Sequence, residues 1–287
     1  MEQDDKVYKD LQRHLDSQAV GFPATESGAE IRILKHIFSS RQALIATYLN
    51  FKPEPIETIF KRAKGLVESQ DVLADILGDI EKKGGILSRI RGDKKYYCNA
   101  PLVVGMYELQ LDRLTPEFIE DLNTYFSDRK FGIEFLSTEL PQMRTIPIAK
   151  SISIKSNVST FDEVTALLKK SNGVFAIFEC LCRKKKSLQG KKCKVTDRKE
   201  TCMAVGDFAQ MAMDNGMGRR IELDEAISIL EKNQKQGLVL QPSNTKQADF
   251  ICSCCGCCCG MLRIHKSIPK PMDFWASNFY AKIDASK

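Results

Sequence analysis

Six of the chain's eleven cysteines fall within residues 251–260, I-C-S-C-C-G-C-C-C-G. Thiols at that density fill a core poorly and oxidise readily, and their physical use is to surround a soft metal. Cys252, Cys255 and Cys258 form C-x2-C-x2-C, the spacing by which one tight loop wraps three corners of an iron–sulfur cubane. Cys254 and Cys257 offer a second C-x2-C register and Cys259 a further thiol, so the choice of ligands stays open. A structural zinc site and a disulfide knot are the competing readings.

A second series is Cys180, Cys182, Cys193 and Cys202, or C-x-C-x10-C-x8-C. Four thiols on loops after a buried strand make a tetrahedral ligand set for zinc or for a [4Fe–4S] cluster. The C-x-C opening differs from the C-x2-C knuckle usual in structural zinc. On these spacings the first site takes Cys180, Cys182, Cys193 and Cys202. The second takes Cys252, Cys255 and Cys258, completed by Cys254, Cys257 or Cys259. Pooling of both loops around one cluster is the other arrangement.

Charge follows the thiols. Between Arg183 and Glu200 nine Lys or Arg stand against Asp197 and Glu200, a local +7 in a chain whose net charge is +6. A thiolate-ligated cluster is an anion, and nearby cations favour both its reduced form and the ionised state of its ligands. Arg183, Lys184, Lys191 and Lys192 are therefore expected beside the cofactor. A basic loop contacting RNA or an acidic partner is the plainer reading, but no aromatic interleaves this stretch to stack on bases. Cys98, beside Tyr96 and Tyr97, reads as a small buried hydrophobe.

Other chemistry is missing from the pattern. Gly190–Lys191 lacks the remaining phosphate-loop residues, Gly216 and Gly218 lack a third glycine, and His14, His36 and His265 are scattered. There is no G-x-S-x-G elbow. The pattern thus shows no independent catalytic constellation.

The elements that must carry these residues divide the chain. At 287 residues there is room for two or three domains. An amphipathic stretch at 7–15 lies in an N-terminal segment, 1–30. Helical periodicity follows at 31–38 and 44–49, at 56–60 behind Pro55, and at 71–83. Residues 86–91 and 94–98 flank Gly92–Asp93 as a hairpin. Helices closed by a two-stranded wing describe a winged-helix-like domain over 31–130. The helix before the wing places Asp71, Asp75, Asp79 and Glu81 on its polar side, which phosphates would repel, so partner docking is expected rather than DNA binding.

Two further helical stretches, 102–111 and 116–126, lead to a loop-rich boundary at 131–144, with Thr115 capping the second. A cysteine-rich domain over 145–287 then alternates extended 146–154, helix 161–170, strand 174–178, helix 203–215, extended 219–222, helix 224–235 and strand 238–240. Phe274, Trp275, Phe279 and Tyr280 are an aromatic group able to shield a cluster or dock a partner. The fold class expected is α+β, a helical winged-helix-like half followed by a small mixed α/β cluster-binding domain. No apolar run of about eighteen residues predicts a membrane span. An acidic start without a signal region and the cysteine usage predict a cytoplasmic protein with reduced thiols.

The segments E-C-L-C-R-K-K-K-S-L-Q-G-K-K-C at 179–193, E-T-C-M at 200–203, G-L-V-L-Q-P-S-N at 237–244 and the cysteine run at 251–260 resemble the 4Fe–4S-binding ferredoxin-type proteins of anaerobic bacteria and archaea. The similarity covers most of 149–281, and a helical N-terminal half is usual in that family. The resemblance implies [4Fe–4S] binding through Cys180, Cys182, Cys193, Cys202 and part of 252–259, with a role in electron transfer. Family members commonly continue into a ferredoxin module with two C-x2-C-x2-C-x3-C-P runs, which this sequence does not contain. The partner expected is then a separate ferredoxin or oxidoreductase subunit. A winged-helix regulator with a metal or redox centre, and an enzyme with an open iron site, are the alternatives.

Overall fold

The computed structural model describes residues 2–137, 142–146, 164–169, 171, 173–245, 248–274 and 277. They form two compact units, 1–139 and 140–287.

In the first unit, α1 (Glu2–Asp16) packs against α2 (Ala29–Ile37) and α3 (Ser40–Ala46), burying Tyr8, Leu11 and Leu15. Ser39 begins α3 with a reciprocal capping box to Gln42. A short strand β1 (Glu54–Pro55), α4 (Ile56–Arg62) and α5 (Gln70–Lys82) follow, then β2 (Ile86–Arg91) and β3 (Lys94–Asn99). The strands make an antiparallel sheet in the order β1-β3-β2. Arg91 pairs with Lys94 across a two-residue turn, and Gly92 takes φ +64° there, where a side chain would be strained.

Glu81 departs from the expected polar face of α5. It is buried, and accepts from Ser88 Oγ and Lys95 Nζ, both at 2.6 Å. Asp71, Asp75 and Asp79 do face solvent. The helix expected at 102–111 is irregular, because Val103, Val104 and Gly105 leave helical geometry. Next come α6 (Pro116–Phe126), capped by Thr115, and α7 (Arg129–Ser137), which runs into the first half of the stretch read as loop. Cys98 is buried, as expected of a lone thiol.

The second unit is built on a five-stranded antiparallel sheet. Helix α8 (Val164–Lys169) precedes β4 (Phe175–Glu179), α9 (Leu181–Leu188) and β5 (Glu200–Val205). Then come α10 (Asp207–Asp214), β6 (Arg219–Ile221), α11 (Leu223–Lys235), β7 (Val239–Pro242), β8 (Phe250–Cys254) and α12 (Gly260–Ser267). The strand order is β6-β4-β5-β8-β7. Residues 143–146 run along β7, with Ile146 N–H donating to Leu240 O. The extended reading over 147–154 and the start of the helix expected at 161–170 lie outside the described residues, as do Trp275, Phe279 and Tyr280.

Three expectations change here. Residues 200–205 form a strand where a helix had been placed at 203, so the run T-C-M-A-V follows sheet pairing rather than helical periodicity. The cysteine segment at 251 begins as strand β8 rather than loop. Cys182 and the first cations after it lie on helix α9. The sheet is two-faced in the ordinary way. Ile177, Met203 and Ile251 join Leu230 of α11 in one core, while Ala176 and Ala204 meet Ala209 and Ala212 of α10 on the other side.

Candidate metal centre

Alternation along the strands decides where the thiols go. Met203 pairs with Ile251 and Ala204 with Phe250, so the same register continued one step sets Cys202 opposite Cys252. Cys252 and Cys254 are two residues apart on β8 and share a face, opposite to that of Ile251 and Ser253. Cys180 follows the last residue of β4, and Cys259 precedes α12. Both are helix N-cap residues, and each sulfur accepts from a backbone N–H of its own helix, Cys180 from Arg183 and Cys259 from Leu262. All these positions fall at one end of the sheet, where β4 and β8 finish and β5 begins.

The β8 strand ends at Cys254, and the turn after it carries Cys255, Cys257 and Cys258 towards Cys193. These four sulfurs all lie within 4.8 Å of one another. Cys193 Sγ is 3.6 Å from Cys255 Sγ and 3.8 Å from Cys257 Sγ. Cys257 Sγ is 3.6 Å from Cys255 Sγ and 3.7 Å from Cys258 Sγ. Two backbone amides point at the same sulfurs: Lys194 N–H donates to Cys257 at 3.4 Å and Val195 N–H to Cys193 at 3.5 Å. Leu238 packs against the group from the sheet side. Above Gly256, Lys266 Nζ would lie 2.7 Å from a Cβ, so a cation covers this loop.

The donor set fits a thiophilic metal ion. An ion bound at about 2.3 Å to four sulfurs at tetrahedral corners holds them about 3.8 Å apart, and four of the six edges here are close to that value. Burial raises the Cys257 pKa, but the Lys194 amide and the Cys255, Cys258 and Cys193 thiols outweigh it and bring Cys257 down to about 7. Burial and the same neighbours push Cys255 and Cys258 up. Of Cys255, Cys257 and Cys258, Cys257 is thus poised to ionise first, and a bound cation would draw the protons from the other two.

The remaining six clustered cysteines interact in pairs and are not gathered as tightly as the quartet. Cys180 is hydrogen-bonded to Cys182 and Cys202, and these in turn to Cys259 and Cys252. Cys254 joins Cys252 and Cys259, which closes the circuit. The Cys182 and Cys202 thiols donating to it, with Arg183 alongside, hold Cys180 well below the usual thiol range. Cys182, Cys202, Cys254 and Cys259 are all raised.

The expected partition therefore differs from the arrangement found. Cys193 leaves the first series to join the second loop, and Cys252, Cys254 and Cys259 leave the second loop to join Cys180, Cys182 and Cys202. Arg183 is buried and donates through Nη1 to Ser253 O at 3.3 Å. Burial works against its charge, but the Cys180 and Cys202 sulfurs more than offset this, and Cys255 of the other group adds to them. Lys184 pairs with Glu179 at 3.6 Å, and Lys191 and Lys192 are exposed. Lys185, not singled out in the sequence, stands near Cys182, and burial lowers its pKa. Asn233 was also missed. It is fully buried, and its Nδ2 donates to Thr201 O at 3.0 Å and to Ser253 Oγ at 2.8 Å, tying the strands that carry Cys202, Cys252 and Cys254. Its place three residues after Leu230 on the α11 face was the available signal.

No family model, curated protein or solved structure matches this chain. The described structure contains a cysteine cluster able to hold a metal ion, and none of its helices is long and apolar enough to cross a membrane.

Proposed function

We propose that the second unit is a thiolate metal centre that carries electrons through cysteine-bound iron. The observation behind this reading is the quartet Cys193, Cys255, Cys257 and Cys258, with four of its six sulfur–sulfur edges at 3.6–3.8 Å and all within 4.8 Å. The ligands of a cubane stand on four different irons and are farther apart, so the quartet suits a single tetrahedral ion better than the [4Fe–4S] cluster suggested by sequence. The amides on Cys193 and Cys257 would ease reduction by neutralising sulfur charge. Cys193 and Cys257 are only partly buried, which leaves a short path to a docked redox protein. The exposed Lys191, Lys192 and Lys194 favour an acidic partner surface. A full set of four thiols leaves no open metal position, so a carrier is favoured over an enzyme.

The ferredoxin-type likeness of the cysteine segments supports iron and a cytoplasmic setting. Anaerobic purification with iron analysis, and EPR of oxidised and reduced protein, tests the reading; a colourless protein with stoichiometric zinc would sink it. Structural zinc is the second reading, because tetrahedral edges of this length suit zinc equally.

For the first unit, the order helix, short strand, two helices and hairpin supports a winged-helix-like module. Solvent-facing Asp71, Asp75 and Asp79 on α5 oppose a DNA phosphate surface, so we assign it to protein docking. A gel shift at low salt would reverse that assignment and favour the regulator.

A further inference from the structure

We propose that Cys202 and Cys252 are a redox-active dithiol, which closes to a cross-strand disulfide by exchange with a low-molecular-weight disulfide. Outside the quartet the clustered thiols interact in pairs, and no three of them lie within 4.8 Å of one another. What they offer is thiol–thiol chemistry, and all are free thiols in this structure. Strand register selects one pair. Val205 N–H donates to Asp249 O at 2.8 Å, which makes 205 and 249 a hydrogen-bonded pair. Alternation makes 203 and 251 the next such pair, and places 202 and 252 as the non-hydrogen-bonded pair that follows. In such a pair the Cα atoms stand about 4.5 Å apart, within the roughly 4.4–6.8 Å that a disulfide spans. The two sulfurs already interact as hydrogen-bond partners. Neither faces a thiol on its other neighbouring strand, because Phe178 of β4 pairs with Cys202 and Gln241 of β7 with Cys252. Cys252 and Cys254, two residues apart along one strand, are separated by about 6.8 Å, the outer limit for a bond.

Two further features suit the pair to closing and reopening. The paired register ends at Met203 and Ile251, and beyond it Thr201 O and Ser253 O accept from Asn233 Nδ2 and Arg183 Nη1. Side chains thus satisfy the carbonyls that a longer ladder would have used. The sulfurs can then draw in to about 2.05 Å without breaking a ladder bond. Access is one-sided, since Cys252 is half-buried while Cys202 is 5% exposed. Cys252 is therefore the thiol that meets an incoming disulfide. As its thiolate it attacks one sulfur, the small molecule's S–S bond breaks, and one small thiolate leaves. Cys202, as its thiolate, then attacks the mixed disulfide at the Cys252 sulfur and expels the second. Two protein thiols are oxidised, and their electron pair reduces the small disulfide. The two cysteine protons pass to the leaving thiolates.

The pair takes no ligand from the quartet, so it stands whatever metal that site holds. Reduced full-length protein, with Zn2+ added to protect the quartet, is equilibrated anaerobically in glutathione buffers of increasing oxidised fraction. Acid quenching, alkylation and proteolysis follow, and mass spectrometry with peptide fragmentation maps the bond. The expected result is loss of two free thiols per chain, with Cys202 joined to Cys252, and full recovery in reduced glutathione. C254S should still form the bond, and C202S/C254S should trap glutathione on Cys252. Far-UV circular dichroism checks that each variant is folded, and the wild-type map stands even if a variant is not. No bond at the oxidising end, a bond from either cysteine to a different thiol, or folded C202S/C254S without glutathione on Cys252 overturns the proposal. Oxidation of quartet thiols despite zinc would count against metal there and leave the Cys202–Cys252 map untouched.

Discussion

Asn233 Nδ2 donates to Ser253 Oγ at 2.8 Å, from the last turn of α11 to the residue between Cys252 and Cys254. The same amide group reaches Thr201 O, next to Cys202. One fully buried side chain therefore fixes the relative height of the two strands that present half of the six-thiol ring. Its own Oδ1 accepts from Arg198 Nη1 at 2.7 Å, so the amide orientation is set.

Asn233→Ala should remove both donors and leave the Thr201 carbonyl and the Ser253 hydroxyl short of a partner. The expected cost is about 2–3 kcal/mol, read from urea denaturation of the metal-free protein. Cys202, Cys252 and Cys254 should become more open to alkylation than the quartet thiols, none of which lies on β5. Equal gains at both would show that Asn233 acts on the whole unit.

Cys257 should be more reactive than Cys255 and Cys258 when no metal is bound. Its pKa lies near 7, and the thiolate is the nucleophile, so alkylation by iodoacetamide should rise with pH through a midpoint near 7. Cys255 and Cys258, whose pKa values are raised, should label later. Mass spectrometry of the peptide spanning 251–263 after brief labelling measures the order. The sign for stability is also set: a folded pKa below the unfolded one stabilises at alkaline pH, and that contribution is lost as pH falls through 7.

Arg183→Met should shift the reduction potential of iron-loaded protein downwards by some tens of millivolts, because a buried cation that favours the reduced, more negative centre is gone. Spectroelectrochemical titration reads the shift. Arg183→Lys keeps the charge and should recover part of it, and a potential unchanged in both variants would mean that the guanidinium does not sense the metal.

Thr115→Ala tests the first unit alone. Thr115 Oγ1 accepts from Phe118 N–H at 3.2 Å at the start of α6, ahead of Pro116. Loss of this cap should cost about 1 kcal/mol in denaturant unfolding and leave metal uptake unchanged.

Local signals were legible wherever the structure is local. The hairpin around Gly92–Asp93, the Thr115 cap and the helices at 70–82 and 223–235 follow from turn chemistry, capping and 3.6-residue periodicity. Metal binding by the cysteine segment was legible too, from density alone. The grouping of the thiols was not, because it depends on pairing between β5 and β8, strands separated by almost fifty residues. C-x2-C spacing assumes a loop that wraps one centre, whereas the strand at 250–254 sends alternate residues to opposite faces. Glu81 was misplaced for a related reason. Helical periodicity set it on the polar side of α5, and only the hairpin supplies the Ser88 and Lys95 that make its burial tolerable.

Cys254 and Cys255 are consecutive residues, yet one belongs to the six-thiol ring and the other to the quartet, and Cys258 and Cys259 divide in the same way. The two thiol groups are therefore joined twice by a covalent route of one peptide unit and two short side-chain stems. Gain or loss of a metal ion at the partly exposed quartet would pull on the thiols at the end of the sheet through the polypeptide itself.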